Sequence, residues 1–389
     1  MPVTTLPIMP WRWLAILLLM LPLSLAAQDD EASPQLSPNS YANAVNILAP
    51  LRPVAGDPRP LDPTLGASPP YGHSAIEFAE STESYALLIG EDGELLVERY
   101  FEPFDEGLRA NSASMHKTVV ALLVAAAIAD GHIGSPDDRV GDYIDAWADD
   151  PRGDIPLRAI LTMASGLEPL STEGGMQSPA VRYSFMAEDV RETTLTRPIA
   201  HKPGEVFHYT AVNTQLLVLV LESATGKPYS SYLSERLWQP LGASEALVWL
   251  TEKDGFPAGH TALLARAADW FRIGRLIKNR GKIAGRQIIP AHLIDEMTAP
   301  SEANPNYGWQ IWLGTEYDAQ RHYNEAKIGP AVRASEPFAV EDMIYLDGFG
   351  GQRVYISRDA GIVIVRTGEL RPNWDDAALP NMVIEAAAE

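Results

Sequence analysis

Residues 118–129 read TVVALLVAAAIA, with no charged side chain at any position, and are followed by Asp130-Gly131. A helix over this stretch is apolar on every side, so it must be buried all round, and the glycine supplies its C-cap. Such a helix needs a shell of other elements about it, which puts it at the centre of a domain. The chain of 389 residues, 46% hydrophobic and 21% charged, is long enough to provide that shell.

The stretch is preceded by Ser114-Met115-His116-Lys117. Residues three apart share one helix face, so the Lys117 ammonium group can lie beside the Ser114 hydroxyl. A serine hydroxyl attacks poorly until a neighbouring base takes its proton, and a lysine set against an apolar helix loses charge through desolvation. The pair therefore reads as nucleophile and base. With 23 serines and seven lysines, about 0.4 Ser-x-x-Lys matches are expected by chance, so the tetrad is weak alone. Its single occurrence falls at the mouth of the buried helix. His116 points off the Ser114–Lys117 face and reads as structural.

From Ser84 the sequence SYALLIGEDGELLVERYF gives two apolar runs about Glu91-Asp92-Gly93-Glu94, a hairpin signal. Helices are predicted over 118–129, 154–163, 212–225 and 262–279. The end of the chain, EDMIYLDGFGGQRVYISRDAGIVIVRTGEL, returns to strands. The fold class expected is α+β: one antiparallel sheet formed by both ends of the chain, with a helical region inserted. Two independent domains would need a long polar linker between residues 130 and 340, and none is present.

Residues 1–26 carry Arg12, an apolar run from Trp13 to Leu25 and a small-x-small site at Ser24-Leu25-Ala26, and read as a signal peptide. The rival is an uncleaved anchor, but the run is shorter than the roughly 20 residues that span a bilayer. Export to the periplasm or medium, with no stable membrane insertion after cleavage, is expected. Residues 27–78, rich in proline, read as an extended leader, and 79–389 as the folded domain. A formal charge of -21 disfavours nucleic acid. Cysteine is absent, which excludes disulfides and thiol nucleophiles. The eight histidines show no His-x-His or His-Glu-x-x-His spacing, so neither a metal nor a cofactor is expected.

Two further pieces complete the pattern. Tyr209 stands just before the helix of 212–225. Asp347-Gly348-Phe349-Gly350-Gly351-Gln352 places glycines on an expected strand, where they mark close approach of backbone or ligand. Taken in order, Ser-x-x-Lys, a tyrosine motif and a glycine-bearing strand resemble the serine β-lactamase and penicillin-recognising hydrolase superfamily, over about residues 80–375. FHYTAVNT and GFGGQRVYISRDAGIVIVR look closest to class C-like enzymes and 6-aminohexanoate-oligomer hydrolases. The resemblance implies Ser114 as acylated nucleophile, Lys117 as proton acceptor and Tyr209 as second base. It implies an oxyanion hole from the backbone N–H groups of Ser114 and Phe349, with Gly348, Gly350 and Gly351 lining the substrate.

Two departures bear on substrate. Leu346-Asp347-Gly348 replaces Lys-Thr-Gly, so the cation that would hold a substrate carboxylate is missing and β-lactamase activity should be poor. Tyr209-Thr210-Ala211 lacks the asparagine of Tyr-x-Asn, and Asn213 would point elsewhere. The function expected is hydrolysis of a small-molecule or peptide-like ester or amide through an acyl-enzyme. The alternatives are a non-catalytic penicillin-fold binding or regulatory protein, and a D-amino-acid peptidase or β-lactamase.

Overall fold

The computed structural model describes residues 40–61, 68–327 and 329–389. The strands of its two larger sheets are β1 (Leu51–Val54), β2 (Ser84–Glu91), β3 (Glu94–Tyr100), β4 (Ala110–Asn111), β5 (Ala246–Trp249), β6 (Leu263–Ala265), β7 (Trp312–Leu313), β8 (Ile344–Gly348), β9 (Gln352–Ser357) and β10 (Ile362–Gly368). Six of them form an antiparallel sheet in the order β3-β2-β10-β9-β8-β7. The expected junction of the chain ends lies inside it: Leu88 faces Val365 and Ile89 faces Ile364 across β2 and β10.

Both faces of this sheet are covered, so its central strands are buried along their length rather than alternating with exposed positions. Ala86 and Leu88 enter one core and Leu87 and Ile89 the other. The helices involved are α1 (Gly72–Ser81), α2 (His116–Ala129), α3 (Ala211–Thr225), α4 (Ala267–Lys278) and α5 (Ala378–Ala387). α2, α3 and α4 share the first core, and α1 and α5 the second. Every residue of α2 from His116 to Ala127 is buried, as its composition requires. Gly226, with φ +65°, ends α3 in the left-handed conformation that favours glycine.

Three expectations are corrected. A second sheet, β1-β5-β6-β4, stands beside the first; its strands, two to four residues long, are too short to show a period. The run 262–279 divides into β6 and α4, and 154–163 narrows to a helical turn, Leu157–Leu161, after Pro156. The described part of the expected leader is integrated: β1 pairs with β5, and α1 begins before residue 79. Pro53 fits in β1 because that strand is an edge. The segment read as a signal peptide lies outside the described residues. Among the described residues no helix is long and apolar enough to cross a membrane.

Candidate active site

Ser114 sits in a 3-10 turn, Ala113–Met115, that runs directly into α2. Ala113 has φ +48°, an uncommon conformation for a residue with a Cβ, and its N–H donates to Asn111 Oδ1 at 2.8 Å. The turn presents Ser114 to a cavity of about 1010 Å³. Lys117, one turn on, is 3% exposed. Its Nζ donates to Ser114 Oγ at 2.9 Å and to the His260 carbonyl at 2.6 Å. Burial pushes the ammonium group down to about 7, against the opposing charge of Asp347. The predicted pair is thus brought together, with the lysine poised to lose its proton near neutral pH.

Tyr209 joins it. It lines the cavity with Ser114, whose side chain favours the ionised phenol, and its ring lies 5.0 Å from Lys117 Nζ. Trp312 stacks on that ring at 5.7 Å and Tyr323 packs at 5.1 Å, while the Tyr209 N–H donates to the Tyr323 carbonyl. Burial, reinforced by Asp347, holds the phenol well above its ordinary pKa. It therefore stays protonated at neutral pH and suits a proton relay rather than a standing phenolate. Asn213 is buried in α3, its amide near the Met163 sulfur, and does not line the cavity.

The glycine-bearing segment differs from expectation. β8 ends at Gly348, and Phe349-Gly350-Gly351 form the turn into β9. Phe349 lines the cavity with Ser114. The three glycines assigned to substrate are not on the cavity wall. A Cβ at Gly348 would meet the Ser112 carbonyl at 2.4 Å, so this residue lets the strand run against the serine turn. Gly350 and Gly351, at φ +77° and +89°, pack against Leu370 and Trp374. Leu346 is corrected too: it is fully buried in the core opposite Val354 and faces no substrate.

Asp347 takes the cavity side of that strand. Its carboxylate lies 2.9 Å from Arg321 Nη2 and 2.6 Å from Arg353 Nη1, and accepts from the Tyr323 hydroxyl at 2.9 Å. Asp376 bridges the same arginines at 2.8 and 2.7 Å, so two acids and two bases form a buried neutral quartet. Burial alone would raise the Asp347 carboxyl; Arg353 and Arg321 outweigh it and hold it below the usual range. Sequence reasoning missed this quartet because its members share no spacing. The one available signal was an acid beside the glycine of the strand motif.

His116 and His260 are accounted for by packing. His116 bonds the Thr261 carbonyl at 2.9 Å and the Tyr229 hydroxyl at 2.8 Å, away from Ser114, and burial pushes it down to about 4. His260 is pushed down to about 3, again by burial. His201 and His208 line the cavity. Among the described residues no group of three histidines or carboxylates could hold a metal ion.

A helix buried all round, a sheet closed by both chain ends, and a serine and lysine at the seam between them are the architecture of the penicillin-recognising serine hydrolases. Within that class, the chain belongs to the Beta-lactamase family, whose model matches residues 75–388. A protein of Escherichia coli provisionally named a D-alanyl-D-alanine carboxypeptidase is 29% identical over 167 residues, 40% of this chain and 37% of that one. The 6-aminohexanoate-dimer hydrolase of Paenarthrobacter ureafaciens is 25% identical over 238 residues, 57% of this chain and 58% of that one. The chain thus matches less than two thirds of the length of either relative. A solved structure from Bacillus anthracis, provisionally described as a 6-aminohexanoate-dimer hydrolase, superposes with a TM-score of 0.69 at 19% identity, covering 89% of this chain and 92% of that one.

Proposed function

We propose that the protein is an exported serine hydrolase that cleaves an ester or amide through an acyl-enzyme on Ser114. The observation that carries this reading is the 2.9 Å contact between Ser114 Oγ and a buried lysine drawn down to about 7. Lys117 takes the Ser114 proton as Oγ bonds to the substrate carbonyl carbon. The oxyanion is received by the backbone N–H groups of Ser114 and Phe349, donors aimed at charge that develops only in the transition state. Collapse breaks the bond to the leaving group, which takes the proton passed from Lys117 through the Tyr209 hydroxyl. Water then attacks the acyl carbon along the same proton path, and Ser114 regains its hydrogen.

Substrates with a free carboxylate are disfavoured, and the cavity supports this on grounds other than Leu346. Among the described residues that line it, Lys117 is the one lysine or arginine, whereas Glu173 and Glu325 are exposed acids and Asp347 is already paired with Arg321 and Arg353. Penicillins, cephalosporins and peptide C-termini should therefore be processed poorly. The relative named for aminohexanoate-dimer hydrolysis supports including amides among the substrates. A purely binding role accounts less well for a lysine buried beside a serine, since burying the ammonium group is unfavourable and a binder gains nothing from the proton path. Export is supported by residues 1–26.

Hydrolysis of p-nitrophenyl acetate and of nitrocefin by the wild type and by Ser114→Ala tests the reading. The wild type is expected to turn over the ester far faster than nitrocefin, and Ser114→Ala to lose ester hydrolysis while keeping its fold. Wild-type-like turnover by folded Ser114→Ala would remove the nucleophile, and efficient nitrocefin turnover would remove the substrate argument.

A further inference from the structure

Ser40–Val54 precedes the residues matched by the family model, 75–388, yet it builds part of the cavity. Ser40 is 2% exposed, and its hydroxyl bonds the Tyr85 hydroxyl at 2.8 Å and Glu369 Oε1 at 2.5 Å. The same hydroxyl accepts from the Ala42 N–H at 3.2 Å, capping the turn Tyr41–Asn43. Tyr41 is thereby fixed at the cavity wall. It packs in one cluster with Ala113, the residue before Ser114, and with Phe349. Leu48, 6% exposed, lines the same cavity. The far end of the segment is held by β1, where Leu51 pairs with the cavity residue Trp249.

We propose that Ser40–Val54 is a specificity wall of the candidate active site, with Tyr41 and Leu48 receiving the apolar part of the acyl donor. This rests on the reading of Ser114 as nucleophile. The cavity residues associated with the segment, Tyr41, Leu48, Trp249, Phe349 and Leu370, are apolar or aromatic, whereas the acids Glu173 and Glu325 come from other stretches and are exposed. Each substrate methylene that reaches such a wall should favour turnover by about fourfold, the transfer free energy of one buried methylene. Because Tyr41 also packs in one cluster with Ala113, beside one proposed oxyanion donor, and with Phe349, the other, Leu48 is the cleaner position to alter.

The test measures kcat/KM for wild type, Leu48→Ala and Leu48→Phe on two series: p-nitrophenyl esters from acetate to octanoate, and alkyl acetates from methyl to hexyl. One series varies the acyl chain and the other the leaving group. In the series whose chain meets the wall, Leu48→Phe is expected to lower the long-to-short ratio by about fifteenfold, two methylenes' reach, and Leu48→Ala to raise it. A shift above threefold in either series supports the wall and tells which half of the substrate it receives. Ratios within threefold of wild type in both series, for every variant that folds, overturn it. Labelling of Ser114 by an ethyl fluorophosphonate separates the two layers: wild type that does not label overturns the nucleophile and the wall with it, whereas labelling with unshifted ratios overturns the wall alone. If Leu48→Phe fails to label, Leu48→Ala decides by the same threshold.

Discussion

Lys117 is expected to set the pH dependence of turnover, because burial draws its ammonium group from the ordinary 10.5 down to about 7. In the proposed mechanism the active form is the neutral amine, so activity is lost on the acid side. The amine is about half populated near pH 7 and about a hundredth populated at pH 5. kcat/KM for p-nitrophenyl acetate, corrected for spontaneous hydrolysis, should rise about tenfold per pH unit between pH 5 and 6.5 and level off by about pH 8. The same shift acts on stability. The unfolded lysine holds its proton up to 10.5 and the folded one releases it near 7, so this group's contribution grows between those values and is absent below them. Lys117→Arg isolates the cause, since a guanidinium keeps the charge and does not deprotonate. It should lose about 10²–10⁴-fold in kcat/KM across the whole range, the contribution of a positioned base. A flat wild-type profile from pH 5 to 9, a midpoint near 10, or an active Lys117→Arg protein would refute the assignment.

Two further outcomes follow from the same geometry. In the proposed mechanism Lys117 and Tyr209 share one proton path through Ser114, so Lys117→Ala/Tyr209→Phe should lose far less than the product of the single losses, and strictly multiplicative losses in kcat/KM would show separate paths. Leu346→Lys would bury an unpaired charge in the core, so thermal denaturation should show destabilisation of about 3–5 kcal/mol with no gain in nitrocefin turnover; a stable variant that binds carboxylates better would place residue 346 in the site after all.

The parts of the site that could be read from the sequence are those set by local spacing. Ser114 and Lys117 share a helical turn, and the greasy run behind them dictates a buried helix, so their meeting follows from three residues of separation. Tyr209 needed the resemblance to a family, because the tertiary fold brings it to a serine 95 positions away. The hairpin of β2 and β3 was legible through its Asp92-Gly93 turn. The four-stranded sheet was not, since strands of two to four residues carry no period. Leu346 and Asp347 show the limit most plainly: adjacent residues on a strand face opposite ways, and motif alignment alone assigned substrate contact to the one that lies in the core. Arg321, Arg353 and Asp376 carry no local signal, because the quartet exists only when the strands are assembled. The proline-rich stretch misled in the other direction, its composition suggesting a leader where Ser40 and β1 anchor a wall of the cavity.

The central claim is that Ser114 becomes acylated, and the most direct measurement is mass spectrometry of the protein after reaction with a fluorophosphonate. The expected result is one adduct per chain, on the peptide that contains Ser114, absent in Ser114→Ala and slowed below pH 6 as Lys117 protonates. An adduct on another serine, or none on a folded protein, would contradict the account.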